Sequence, residues 1–331
     1  MTLPAEYSLP RSSDLARFIA ETYELGEITD CYLLSRSIND SYALHTRDGA
    51  RFVVRLGNRR ARGEANLDYE TAVLAHLDRC GVPVAASVST RDGRPWALVP
   101  LPEGARTVAL FRFLPGRFAR RDGTLDARAQ GRTLAEVHRA GRSYDGPASR
   151  FRLDSQHLIQ RPLAAVLDLP TVEPESRDFL VALAARLDER LAAEQDALAW
   201  GHCHGDCHGL NAKITDKGAF GPSAAFFDFD DAGPGWLAYD LAVYLWNKAL
   251  SPGTLNLWPP FLEGYKSVLP LAARDLDATL LFVPIRHIWL LGKYAQRADE
   301  WGLDHLSSAW LDRQVGFLRG WEEDHLTARL F

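Results

Sequence analysis

The chain has 331 residues, 47% of them apolar and 24% charged, with a net charge of −5; this suits a large core divided between two lobes of a soluble globular protein. The charge offers no general attraction for nucleic acid, and no apolar run approaches the roughly 20 residues that span a bilayer, so neither partner is expected. The amino-terminal residues lack the basic and apolar regions of a signal peptide, and four cysteines are too few for a disulfide framework, so a cytoplasmic protein with reduced thiols is expected.

Taken in order, Ser13 followed by Asp14 to Tyr23 reads as a capped amphipathic helix. Short β-like runs follow at 28–34, 41–46 and 51–56, the last two joined as a hairpin by Arg47-Asp48-Gly49-Ala50. Helical spacing occupies 65–79 and stops at Gly81 and Pro83, and two more strands are predicted over 96–99 and 107–113. Leu114-Pro115-Gly116 is a natural hinge. Beyond it, broad apolar faces predict helices over 125–140, 177–199, 236–249, 276–297 and 306–326. The only strand-like pieces of this half lie at 212–215 and 224–227. The fold class is therefore α+β and bilobal, with a β-rich lobe over 1–113 and a mainly helical lobe over 114–331.

The chemistry is concentrated in two short motifs. His204-Gly-Asp206-Cys-His-Gly-Leu-Asn211 carries the Asp-x-x-x-x-Asn spacing of a kinase catalytic loop, and Asp228 closes the apolar strand Ala-Ala-Phe-Phe. Phosphoryl transfer needs one carboxylate to orient or deprotonate the attacking hydroxyl. It also needs an amide and a second carboxylate to hold Mg²⁺ on the triphosphate of ATP. Asp206 suits the first task, and Asn211 and Asp228 the second. His204 is expected to hold the loop's shape. Asp240 either bonds the loop backbone from below or is a first-turn acid facing solvent.

His202, Cys203, His204, Cys207 and His208 raise a rival zinc reading. Tetrahedral zinc sites draw ligands from separated segments, however, and these five lie within seven residues, so packing thiols are the simpler reading. Only five of the 38 basic residues are lysines and none precedes Lys213, so any lysine role in the first lobe falls to arginine. Arg55, on the third strand, is the candidate for the phosphates with Glu70 as its helix partner; the alternative is a surface arginine. Ser37, Asn39 and Ser41 occupy the phosphate-covering hairpin, which contains no glycine. Arg286, His287, Lys293 and Arg297 give one helix positive charge, read as a solvated face in preference to a surface for an anionic substrate. Trp236, Trp246, Trp289 and Tyr294 read as core.

Together, His204-Gly-Asp-x-His-x-x-Asn211, Phe227-Asp228-Phe-Asp-Asp-Ala-Gly and Tyr239-Asp-Leu-Ala resemble the motifs of the aminoglycoside phosphotransferase/choline kinase family, which has the protein-kinase-like fold. Leu134-Ala-Glu-Val-His138 is similar to the family's helix after the hinge, and Ala109 to Gly116 to its hinge. Within the family, Phe52-Val-Val-Arg55, Val82-Pro-Val-Ala-Ala and His204-Gly-Asp-Cys-His resemble the stress response kinase A group, long described as homoserine-kinase-like. The resemblance implies Asp206 as base, Asn211 and Asp228 as Mg²⁺ ligands, Arg55 with Glu70 at the phosphates, and hinge backbone from Phe111 through Phe113 to Leu114 at adenine. Arg55, where that group has lysine, and the glycine-free hairpin are departures.

These features point to an ATP- and Mg²⁺-dependent phosphotransferase acting on a hydroxyl of an amino alcohol, hydroxy amino acid, sugar or aminoglycoside-like acceptor. The alternative is a serine/threonine protein kinase of the stress response kinase A type. Against it stand the missing Ala-Pro-Glu segment and the short interval between Asp228 and Asp240. A pseudokinase with Arg55 in the way of ATP is a third reading, opposed by Asp206, Asn211 and Asp228. Aminoglycosides themselves would want a strongly acidic cleft.

Overall fold

The computed structural model describes residues 5, 7–58, 63–218 and 221–327. The first half carries α1 (Ser12–Thr22), β1 (Ile28–Arg36), β2 (Asp40–Thr46), β3 (Arg51–Leu56), α2 (Gly63–Arg79), β4 (Ser87–Val88), β5 (Ala97–Leu101) and β6 (Gly104–Arg112). The strands form one antiparallel sheet in the order β1-β2-β3-β6, with β4 and β5 both paired to β6. β4 was not anticipated; two residues are too short to show a period. Nor does Ser13 cap α1. Arg11 sits at the cap position and its carbonyl takes the Asp14 and Leu15 amides, with no side-chain cap bond.

Strand alternation assigns the two faces of this sheet to different cores. Val108 and Leu110 of β6 pack with Val54, Leu56 and the Leu15–Ile19 face of α1. Ala109 and Phe111 face the other way and join Leu67, Val73, Leu74 and Leu77 of α2 in the main core of the molecule. Thus α2 belongs to the strand half by sequence and to the helical half by packing.

The second half carries α3 (Thr124–Gly141), α4 (Arg161–Leu167), α5 (Pro174–Glu194), β7 (Trp200–Cys203), β8 (Ala212–Gly218), β9 (Gly221–Phe226), β10 (Gly233–Trp236), α6 (Leu237–Leu250), α7 (Trp258–Lys266), α8 (Ala273–Ala295), α9 (Ala298–Trp301) and α10 (Ser308–Trp321). β7 pairs with β10 and β8 with β9, both antiparallel. The pair β7–β10 escaped the sequence because Trp200–Cys203 and Gly233–Trp236 are four residues each and glycine-bearing. Pro284 lies inside α8 and withholds an amide from the Leu280 carbonyl, which accepts the Trp321 indole N–H at 3.0 Å instead. Among the described residues no helix is long and apolar enough to cross a membrane.

Candidate active site

The loop after β7 is fixed from below by Asp240, in the first turn of α6. Its carboxylate is fully buried and accepts the amides of His204 at 2.7 Å and Gly205 at 2.9 Å, and the His138 imidazole at 2.9 Å. Burial alone would raise this carboxyl, yet hydrogen bonding from His138 and His204 more than offsets it and holds it below its ordinary value. The loop-bonding reading of Asp240 is therefore the observed one. His138 is itself set by the Tyr265 hydroxyl at 2.8 Å.

His204 shapes the loop rather than facing the cleft. Its Nδ1 accepts the Asp206 amide at 3.2 Å, which leaves Nε2 to donate to the Phe227 carbonyl at 3.1 Å and tie the loop to the segment bearing Asp228. Gly205, at φ +80°, is required here: a Cβ would come within 2.1 Å of the Asp231 carbonyl. From beneath, Gln130 of α3 donates to the Gly209 carbonyl at 2.9 Å.

This scaffold brings together the residues that the motifs nominated. Asn211 Nδ2 donates to the Asp206 carbonyl at 2.9 Å and to its carboxylate at 3.1 Å, leaving the Asn211 amide oxygen for another partner. The β8–β9 register sets Ala212 opposite Phe226, and the Phe227 amide bonds the Asn211 carbonyl at 3.0 Å, so Asn211 and Asp228 emerge from adjacent strand ends. Among the described residues Asp228 is the only non-glycine at positive φ, +66°. An aspartate tolerates that region better than most residues, but it remains a strained placement of the kind found at working sites. Its side chain is 41% exposed towards the cleft and lies 3.5 Å from Arg55 Nη1. Enclosure by the cleft walls and the neighbouring Asp230 push its carboxyl well above the ordinary range, with Arg55 opposing. Hard oxygen donors and crowded negative charge fit a divalent cation between Asp228 and the Asn211 amide oxygen.

On the strand side, Arg55 of β3 makes a two-pronged pair with the buried Glu70 of α2, one contact at 2.9 Å, and lies 4.8 Å over the Phe111 ring. It is an interior cleft residue and not the surface arginine of the alternative reading. The covering hairpin behaves differently from expectation. Asn39 reaches across to Asp230 at 3.2 Å and accepts the Asn58 amide at 3.1 Å, Ser37 is exposed, and Ser41 is half-buried opposite Arg55 in the sheet. At the hinge, the Arg112 and Phe113 amides are committed to the Ala86 and Arg51 carbonyls, which makes Leu114 the next amide along. Phe111 is buried and Phe113 lies under Arg51 at 4.1 Å.

The solvated-face reading of α8 is corrected. Arg286 and His287 are not on a solvated face: they are 2% and 1% exposed. Arg286 bonds the Asp206 carboxylate, the Gly205 carbonyl at 3.2 Å and the Tyr239 hydroxyl at 3.3 Å, between the rings of Trp246 and Trp289. A sequence signal did exist: one arginine in the apolar run Leu-Phe-Val-Pro-Ile-Arg-His-Ile-Trp-Leu-Leu has to be paired. The rival zinc set of the loop is not assembled. His202 bonds the Tyr69 hydroxyl at 2.9 Å, Cys203 the Trp236 carbonyl and Cys207 the Asp240 carbonyl. Burial raises both thiols well above their ordinary range, so they pack as apolar groups. Of the five, only Cys203 joins the one His/Cys/acid cluster among the described residues, with His138 and Asp240, and those two already bond each other.

A strand half closing over a helical half, with an acid–amide–acid constellation between them, defines a phosphotransferase of the protein-kinase-like class acting on a hydroxyl acceptor. Residues 32–276 match the phosphotransferase enzyme family, and the chain belongs to that family. An uncharacterized protein of Deinococcus radiodurans is 36% identical over 98% of this chain and 94% of its own length. A homoserine kinase of Caulobacter sp. strain K31 is 31% identical over 83% of this chain and 82% of that protein. Among solved structures, a microcompartment-associated aminopropanol kinase superposes with a TM-score of 0.77 at 22% identity, covering 96% of this chain and 100% of that one. Amicoumacin kinase hAmiN, in complex with AMP-PNP, Ca²⁺ and Ami, superposes at 0.73 with 20% identity, over 95% and 94% of the two chains. These two likenesses establish the fold.

Proposed function

We propose that the protein transfers the γ-phosphoryl group of ATP to the hydroxyl of a small molecule, with Mg²⁺ as the metal. The observation that carries this reading is the direct bond between Asn211 and Asp206, with strand register drawing Asp228 alongside. Residues 1–113 would bind the nucleotide, with adenine on the hinge backbone at Leu114 and the α- and β-phosphates on Arg55. Residues 114–331 would supply the catalytic loop and the acceptor. A homoserine kinase among the relatives supports a small hydroxyl acceptor over a protein one.

Asp228 and the Asn211 amide oxygen would hold the cation, whose charge offsets that of the phosphates. The acceptor hydroxyl sits on Asp206, its oxygen bonds the γ-phosphorus, the bond from that phosphorus to the β-phosphate oxygen breaks, and ADP leaves. The hydroxyl proton goes to the Asp206 carboxylate. Arg286 and Asn211 both bond that carboxylate and fix its direction, so Asp206 acts mainly by orienting the hydroxyl. That suits a loose transition state, in which the proton need not leave until the new bond is largely made. The test is ADP release against amino alcohols, hydroxy amino acids, sugars and a generic protein substrate. No release that depends on both acceptor and Asp206 would sink the reading.

A further inference from the structure

We propose that the acceptor carries an anionic group, a carboxylate or a phosphate, seated beyond the catalytic loop against Arg161 and Arg297. The inference rests on the phosphotransferase reading and names the chemistry of its second substrate.

A cleft of about 650 Å³ opens beside the site, bounded by Ile38 of the covering hairpin, Asn66 of α2 and one face of α8. It is continuous with the catalytic machinery. Asp231, three residues past Asp228, lines it, and Asn66 bonds the Asp230 carbonyl at 3.1 Å. Its size suits a small ligand. Trp289, Lys293 and Gln296 recur at helical spacing along its wall, and one step earlier on the same face Arg286 grips Asp206. From Arg286 to Lys293 is about 10 Å along the helix axis, so a small ligand lying on this face can present one end to Asp206 and the other to the cleft.

The charged lining of the cleft has a basic excess of four to three. Arg150, Arg161, Lys293 and Arg297 line the cleft against Asp231, Asp299 and Glu300. Lys293 pairs with Asp231 at 2.6 Å, and the other two lining acids, Asp299 and Glu300, are both on the short helix α9. Arg161 is in contact with Gln156 at 3.3 Å through Nη2, a neutral partner. Arg297 lies 4.9 Å over the Trp301 ring, which restrains its plane, and its Nη1 is buried with no hydrogen-bond partner. A buried donor left unmet is costly, and an anionic oxygen from a ligand would relieve it. Guanidinium forks match carboxylate and phosphate geometry, whereas an ammonium group on the acceptor would meet like charge here.

The test is binding calorimetry and ADP release with ω-hydroxycarboxylates of graded chain length, the matching hydroxyalkyl phosphates, the methyl esters of the acids, and amino alcohols of equal length. One of the two anionic series is expected to bind about tenfold or more tighter than the esters, as a charge-assisted hydrogen bond provides, and which series leads identifies the anion. Arg297→Gln combined with Arg161→Gln should erase that preference, with circular dichroism confirming the fold. Esters or amino alcohols binding as well as the acids and phosphates would overturn the inference, as would a preference that survives in the double variant. The two readings fail separately. Asp206-dependent ADP release with neutral or cationic alcohols keeps the phosphotransferase and removes the anion site. Anion-selective binding without ADP release from any member does the reverse.

Discussion

The helical wall of the cleft holds its functional groups from several sides, whereas the strand wall holds its own from few. Asp240 anchors the start of the catalytic loop, taking two backbone amides and His138, and Asp206 beyond it is gripped by Arg286 and Asn211. Opposite them, the covering hairpin has an exposed tip at Ser37 and crosses the cleft through the Asn39–Asp230 contact at 3.2 Å. The base of the hairpin is secured more firmly, where Asp40 meets the buried Arg106 at 2.8 Å. The loop proposed to perform the chemistry is held in place before any substrate arrives, whereas the hairpin proposed to cover the nucleotide has fewer side-chain ties.

The largest break in this contrast is predicted at Asp206. Asp206→Asn should lower kcat by about 10²–10⁴-fold, the usual range for losing a positioned acid–base group. Nucleotide affinity, read by calorimetry, should stay near that of the parent. Unchanged turnover would remove Asp206 from the reaction. Next in size is Asp240→Ala, which strands two loop amides and His138 in the interior. It should cost about 3–5 kcal/mol in urea unfolding, and kcat should fall with it. A loss under about 1 kcal/mol would mean that the loop does not depend on this anchor.

The same contrast explains what could be read from the sequence. Asp206, Asn211 and Asp228 lie in two short segments whose spacing is dictated by one loop and one strand, so local pattern sufficed. The order of strands then helices likewise followed from local periodicity. Arg286 and His138 sit far away on apolar helices, and their partners are chosen by packing between α3, α6 and α8. Arg286 was therefore misread as a solvated residue. Asn39 was assigned to the phosphates because a hairpin tip was expected there, but its side chain is taken by Asp230, an across-cleft contact invisible to local pattern. The short strands β7 and β10 were missed because four glycine-bearing residues carry no period.

On the strand wall, substitutions at Arg55 sharpen the comparison. Arg55→Ala removes a charged group held by Glu70 and should raise the KM for ATP about 10–100-fold, the cost of one or two charge-assisted hydrogen bonds. Arg55→Lys should stay near the parent, because lysine keeps the positive charge opposite Glu70. Equal effects of the two would show that Arg55 does not meet the phosphates.

The smallest predicted effect tests whether the helical wall's rigidity has a pH cost. Burial first, then the neighbouring Arg286 charge, push the His287 imidazole down to about 3, and its Nδ1 accepts the Trp246 indole N–H at 3.0 Å. A free histidine titrates near ~6.5, so the unfolded chain takes up a proton as pH falls through that value while the folded chain does not. Stability from the neutral, buried imidazole is thus complete above about pH 6.5 and drains away towards pH 3, by about 2 kcal/mol on reaching pH 5. Urea midpoints measured at both pH values should converge in His287→Gln relative to the parent. The Trp246 bond is retained by the glutamine amide oxygen, so the comparison isolates the proton. An identical pH slope in the two proteins would place the acid sensitivity elsewhere, and the catalytic wall would then owe none of it to the residue beside Arg286.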